Sequence, residues 1–286
     1  AVGGCQTLRT PVTVTVATPP SLTVSNSKTV CNNSIQELTV TSFVPDYTTY
    51  SWAPTTNLFI DAACTVPYAG GSTETVYFQS GTTGAYTYTL SASEPINGCQ
   101  NQATVTMSVL PSSVTVSSNP QDLCLSGNSV VSFTPTSNLY NATIQWASSP
   151  TNSGFTPISG ANGLTYSATG ITSSTYYQVN IIDGDNNVCL SPSTQVVVNN
   201  PSISSTTPGT RCGTGTVNLG ATASGAGTVK WYANATGGTP LASGTSFTTP
   251  SISSTTTYYV SSTEEGGGSQ QVGKAGITSA APVVGT

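Results

Sequence analysis

The sequence predicts an all-β fold, and three observations predict it. Apolar residues alternate with hydroxyl residues in Thr13-Val-Thr-Val16, Tyr86-Thr-Tyr-Thr-Leu90 and Ala103-Thr-Val-Thr-Met-Ser-Val109, and Gln195-Val-Val-Val198 adds an apolar β-branched run. Period 2 sends one set of side chains to a core and the other to water. No 11-residue window carries the i, i+3, i+4, i+7 apolar spacing of an amphipathic helix. Finally, 51 Thr and 41 Ser stand among 286 residues, and Thr, β-branched and uncharged, suits the wet face of a sheet. With 13 Tyr, 6 Phe and 3 Trp the chain has core material that a disordered, mucin-like stalk lacks.

Charge narrows the function classes. Lys+Arg number 5, Asp+Glu 10 and His 0, so 5% of residues are charged against about 25% in an ordinary soluble domain. Five scattered cations make neither a nucleic-acid footprint nor a polybasic membrane surface. No run of 18 apolar residues exists, so no helical membrane insertion is expected. Without His there is no Ser-His-Asp triad, no Cys-His pair and no imidazole–metal chemistry. No cofactor is expected.

An internal repeat organises the chain. Each copy has a Cys, a strand, a Trp, a Tyr-rich strand and a Thr/Val strand. The first reads Cys31, Leu38-Thr-Val40, Trp52, Tyr86-Thr-Tyr88 and Ala103–Val109, closed by Pro111. The second reads Cys124, Val130–Phe133, Trp146, Tyr176–Val179 and Thr194–Val198, closed by Pro201; the third reads Cys212, Val217–Leu219, Trp231 and Thr257–Val260. Trp-to-Trp spacings of 94 and 85 residues are the size of an immunoglobulin-like sandwich, whose core holds one Trp on a middle strand. Trp52, Trp146 and Trp231 are therefore expected in three cores, rather than as sugar-stacking platforms. Gly4-Cys-Gln-Thr-Leu-Arg-Thr-Pro-Val-Thr-Val-Thr-Val16 parallels Gly98–Val109, the last strand of the first repeat. The expected division is 1–18 as the last strands of a preceding domain, then Ig-like domains at 19–111, 112–200 and 201–286. The Pro-containing joints Thr18-Pro-Pro20, Leu110-Pro-Ser112 and Asn200-Pro-Ser202 predict stiff links and an elongated array of tandem sandwiches.

The third repeat, with Arg211-Cys-Gly-Thr-Gly-Thr-Val-Asn-Leu219, Lys230-Trp-Tyr-Ala233 and Thr255-Thr-Thr-Tyr-Tyr-Val260, closely resembles the Ig-like repeats of very large surface proteins of Bacteroidota. The first two are similar to the related repeats with a Cys before the second strand and an Asn/Gly-Cys hairpin near the end. The resemblance implies a cell-surface or secreted protein of the gliding-motility adhesin type, often exported by type IX secretion. It implies no particular role, because a repeat type does not fix a function.

Seven Cys with no His and no Cys-x-x-Cys fit a disulfide framework in an oxidising compartment better than zinc. The repeat suggests Cys31–Cys99 and Cys124–Cys189; two free thiols per repeat are the alternative. In a regular sandwich those positions lie toward opposite ends, so the pairing requires the early Cys on a shifted segment. Cys5 would pair outside the given sequence. Cys212 lacks a partner, because Glu264-Glu-Gly-Gly-Gly-Ser-Gln occupies the place of the late Cys. Cys64 has no counterpart in the other repeats and reads as a buried or unused thiol, with competition for Cys31 or Cys99, or an exposed crosslinking thiol, as alternatives.

Other candidates are weaker. Asp183-Gly-Asp-Asn-Asn187 looks like the start of a calcium loop, with Asp183 and Asp185 as ligands, but lacks the downstream Glu and stands where a hairpin turn is due. Glu264-Glu265-Gly-Gly-Gly268 reads as the same hairpin of the third repeat. Asp46, Asp61, Glu74 and Glu94 show no repeated pairing of the kind a glycosidase uses. Tyr47, Phe59, Tyr68, Tyr140 and Phe155 are candidate sugar platforms or core caps. Asn32, Asn141 and Asn234 head glycosylation-type sequons, and Lys28, Lys230 and Lys274 are the candidates for an isopeptide crosslink. The expectation is a non-enzymatic spacer or adhesive stalk at the cell surface. Its partners are neighbouring Ig-like domains of a longer chain, with surface glycans or other surface proteins beyond them. A carbohydrate-binding region of a secreted polysaccharide-degrading enzyme and a surface-filament subunit are the alternatives.

Overall fold

A computed structural model describes residues 8–95, 98–224, 227–263 and 272–278. The described residues are built of strands, with one 3-10 turn among them at Val44–Asp46. Among the described residues, six sheets form three sets in chain order.

The first set pairs a four-stranded sheet, ordered Lys28–Val30, Gln100–Val109, Gly84–Ser93 and Thr49–Ala53, with a three-stranded one, Gln36–Thr39, Thr75–Phe78 and Leu58–Phe59. Alternation drives it. Tyr50 and Trp52 point inward from Thr49–Ala53, and Val105, Met107 and Val109 from Gln100–Val109, with the Thr and Ser residues between them facing outward. The core gathers Trp52, Phe78, Tyr88, Leu38, Leu58 and Leu90. The short Lys28–Val30 strand runs parallel to the last strand, with Lys28 opposite Met107 and Val30 opposite Val109.

The second set joins Thr165–Ile171, Gly127–Thr134 and Thr115–Asn119 in one sheet. The other runs Thr156–Pro157, Thr143–Ser149, Thr175–Ile182, Ser193–Asn199 and Asp122–Cys124, with Val188–Leu190 beside Thr175–Ile182. Again a short early strand lies parallel to the last one, Cys124 facing Asn199. In the third set, Ile203–Thr207, Asn218–Ala223 and Ser246–Thr248 form one sheet, and Ala242–Ser243, Thr228–Tyr232, Thr257–Thr263 and Val272–Thr278 the other.

Trp52, Trp146 and Trp231 are 2%, 0% and 0% exposed. Each satisfies its indole N–H on a backbone carbonyl: Trp52 donates to Thr73 at 3.1 Å, Trp146 to Gly163 at 2.9 Å and Trp231 to Gly244 at 2.8 Å. This is how so large a ring is buried without stranding its donor. Phe133 packs 6.1 Å from Trp146, and Phe247 stacks 5.4 Å from Trp231.

The alternating Thr13–Val16 segment forms no strand. Val12, Val14 and Val16 are 88%, 84% and 87% exposed. A strand exists only where a neighbour completes its hydrogen-bond ladder, and none of the described residues does so here.

The chain divides into two compact units. The first runs to Ser113 and takes in Ser137–Ala142 and Ile182–Cys189; the second holds Val114–Thr136, Thr143–Ile181 and the chain from Leu190.

Candidate functional site

Lys28, Cys31, Asp183, Asp185 and Cys189 of the first unit converge where Lys28–Val30 ends. Two segments that come late in its sequence, Ser137–Ala142 and Ile182–Cys189, close over that end. The Asp183–Asn187 turn is built locally. Asp183 is 4% exposed, and its Oδ1 accepts the backbone N–H of Asp185 and of Asn187, both at 2.9 Å. The Asn187 amide donates to its Oδ2 at 3.2 Å, and Asn186 takes a left-handed φ of 65°, a conformation Asn tolerates better than most residues. A buried carboxylate is acceptable here because donors surround it.

The two segments are fastened to the first strand and the Cys31 that follows it at four points. Gly184 N–H donates to the Thr29 carbonyl at 2.9 Å. Asn141 N–H donates to Thr29 Oγ1 at 3.3 Å. Lys28 Nζ reaches both carboxylate oxygens of Asp185, at 3.0 and 2.8 Å. Cys31 is disulfide-bonded to Cys189, with Cα atoms 5.2 Å apart and 158 residues between them in sequence number. At Gly184 a Cβ would sit 3.2 Å from the Thr29 carbonyl oxygen and 3.3 Å from Lys28 Cβ, so close docking of the turn favours glycine. Closing so long a loop lowers the entropy of the unfolded chain, which stabilises by about 5 kcal/mol in the chain-entropy model. The Lys28–Asp185 pair is 31% and 40% exposed and contributes at most about 1 kcal/mol.

This bond corrects the expected pairing. Cys31–Cys99 and Cys124–Cys189 do not form; Cys99 and Cys124 are free thiols. The reason is the parallel pairing of the early and last strands. Val30 sits opposite Val109, so Cys31 lies at the end of a strand whose start, Gln100, follows Cys99. Ten residues of strand separate them, roughly 33 Å at the rise of extended chain, where a disulfide needs Cα atoms within about 7 Å. In the second repeat Cys124 faces Asn199, ten residues beyond Cys189, and the same argument holds. The early Cys is not on a shifted segment. Each of the first two repeats places its early and late cysteines at opposite poles.

The remaining candidates fall elsewhere. Asp183 and Asp185 share the turn, but Asp183 is engaged by turn donors and Asp185 by Lys28. The Cys31 and Cys189 sulfurs and an Asp183 oxygen lie within 4.8 Å of one another; with the sulfurs bonded to each other, neither is a thiolate that could bind a metal. Cys64 is half-buried and Cys212 exposed, both free. Burial, then the charge of Asp61, pushes the Cys64 thiol above its ordinary value. Cys5, Glu264, Glu265 and the Lys274 side chain lie outside the described residues. Tyr47 and Tyr68 are buried, with hydroxyls on the Pro20 and Gly71 carbonyls. Phe59 and Phe155 are half-buried, and Tyr140 is 39% exposed. A shallow groove lined by Tyr47, Tyr50, Ser72 and Glu74 carries one carboxylate, not the pair that glycoside hydrolysis uses. Asp61 closes its own loop, accepting from Thr65 N–H and Oγ1 and from Val66 N–H. The Asp183–Cys189 contact with Cys31 was not visible in the sequence. The recurring cysteine positions were the only signal that could have led to it.

Comparison with known proteins agrees with the fold. Residues 199–278 match the family described as Ig-like domain, CHU_C associated. Residues 101–200 match a family described as a domain of unknown function. No curated protein matches the chain. Among solved structures, the three N-terminal domains of the bacteriophage RB49 Highly Immunogenic Outer Capsid protein align at 12% identity and TM-score 0.40, over 93% of this chain and 99% of that one. An I-band fragment from titin aligns at 12% identity and TM-score 0.38, over 91% and 97%. The fibronectin(III)-like modules of Clostridium thermocellum CbhA align at 10% identity and TM-score 0.33, over 63% and 95%. Residues 199–278 thus match an Ig-like domain in a chain whose described residues form paired β-sheets and carry one disulfide, Cys31–Cys189. Among the described residues no helix is long and apolar enough to cross a membrane.

Proposed function

We propose that this chain is a non-enzymatic stalk segment of a large extracellular surface protein, its repeats 19–111, 112–200 and 201–286 acting as spacers under tension. The observation that carries this reading is the Cys31–Cys189 bond. A covalent link from one repeat to the next adds nothing to a binding pocket or a reaction. It does constrain a chain that is pulled, and it needs an oxidising compartment to persist. Three Trp-centred cores agree with it, as does a sequence nearly free of charge, whose surface stays hydrated with little dependence on salt.

The test has two arms. The purified chain is screened against arrayed glycans and chromogenic glycosides, with neither binding nor turnover expected. In the full-length protein, deleting residues 112–200 should shorten the reach of whatever lies beyond while leaving its affinity unchanged. Micromolar binding of a polysaccharide by the isolated chain would overturn the reading in favour of a carbohydrate-binding module.

A further inference from the structure

In the first two repeats an early and a late cysteine recur at the same two positions. The early one, Cys31 or Cys124, stands where the last strand ends; the late one, Cys99 or Cys189, stands ten residues before that end. The chain leaves each repeat at the end of its last strand, so the early cysteine marks the pole facing the next repeat. The late cysteine marks the pole facing the previous one. The bond observed joins the early cysteine of the first repeat to the late cysteine of the second.

We propose that this bond is one rung of a staggered ladder, in which the early cysteine of each repeat is bonded to the late cysteine of the next. Cys99 is then half of a rung whose other half is the early cysteine of a repeat ahead of residue 19. The exposed last-strand pattern at Val12, Val14 and Val16 and the Gly4-Cys-Gln6 motif are what such a preceding repeat would contribute. Cys212, exposed and free, is the early half-rung toward a following repeat. Cys124 is free because the third repeat has Glu264-Glu-Gly-Gly-Gly268 in place of its late cysteine. The ladder is interrupted at that joint and predicts a more compliant link there. Each rung forms by exchange with a disulfide oxidant such as oxidised glutathione: one cysteine thiolate attacks it, releasing one glutathione thiol and leaving a mixed disulfide, and the second thiolate attacks the protein sulfur of that mixed disulfide, releasing the second glutathione thiol as the new S–S bond closes.

The test supplies the missing halves. Glu265→Cys, Gly266→Cys, Gly267→Cys, Gly268→Cys and Ser269→Cys are made singly, oxidised in a glutathione buffer and mapped without reduction. Unchanged hydrogen-exchange protection over Asn218–Ala223 and Thr228–Tyr232 reports that the third repeat of each variant has folded. A new crosslink to Cys124 in at least one variant, with Cys124 alkylation falling at least tenfold, is the expected result. Cys124 fully alkylated in every folded variant overturns the proposal. Independently, a second copy of residues 19–111 is placed ahead of residue 19. A bond from the added copy's early cysteine to Cys99 is expected; a bond within the added copy, or Cys99 left free, overturns the ladder.

Discussion

The carboxylate of Asp183 lies against the disulfide: its Oδ2 is 3.4 Å from Cys31 Sγ, which is bonded to Cys189 and has no proton to donate. Reduction proceeds through an attacking thiolate, and a buried negative charge at the reacting sulfur repels it. Asp183→Asn keeps the acceptor for the Asp185 and Asn187 amides and removes the charge. It should speed reduction by dithiothreitol about 3–10-fold, from roughly 1–2 kT of repulsion at such a site. A neutral phosphine should reduce both forms at equal rates. Equal rates with dithiothreitol would remove the carboxylate from any protective role.

The bond also redirects force. Tension entering at the amino-terminal end passes from Cys31 to Cys189 through sulfur, leaving the chain between them unloaded. In optical-tweezer extension, reduction should release roughly 550 Å of additional contour, from 158 residues at about 3.5 Å each. The Cys31→Ser variant should release it without reductant. Identical extension before and after reduction would show that the bond does not carry the load.

Trp146 is fully buried, packed on Phe133 and hydrogen-bonded to Gly163. Trp146→Ala removes the ring, leaves a cavity and strands a carbonyl, at a cost of about 3–5 kcal/mol. Hydrogen exchange should accelerate over 115–199 and stay unchanged over 203–263, because Trp231, Phe247 and Tyr258 form their own core. Uniform acceleration across both stretches would mean that the repeats unfold as one.

Asp61 gives the pH dependence. The Val66 backbone N–H, then the Thr65 hydroxyl, holds its carboxyl below the ordinary aspartate value. A carboxyl lowered on folding stabilises its loop fully above the unfolded value and loses that contribution as the pH falls through the folded one. The Val66 amide resonance should therefore titrate below the usual carboxylate range, and Asp61→Asn should abolish that step. A midpoint at or above the ordinary value would refute the hydrogen-bonding account.

Alternation, the repeat and its Trp spacing were legible because they are one-dimensional: period 2 fixes which side chains face inward, and a unit of about 90 residues fixes how much core one Trp can centre. Thr49–Ala53 and Gln100–Val109 bury the residues their pattern predicts. Thr13–Val16 shows the limit, since a strand's pattern is local and its partner is not. The cysteine pairing lay beyond that limit. Sequence places Cys31 and Cys99 in one repeat, and a repeat invites pairing within it. The parallel register of Lys28–Val30 on Gln100–Val109 sets them at opposite poles, a distance no side chain spans. That register depends on which strand ends meet, and so on the direction of a three-residue strand that carries no directional signal in its residues. Only the folded sheet decides it, and with it that Cys31 meets Cys189.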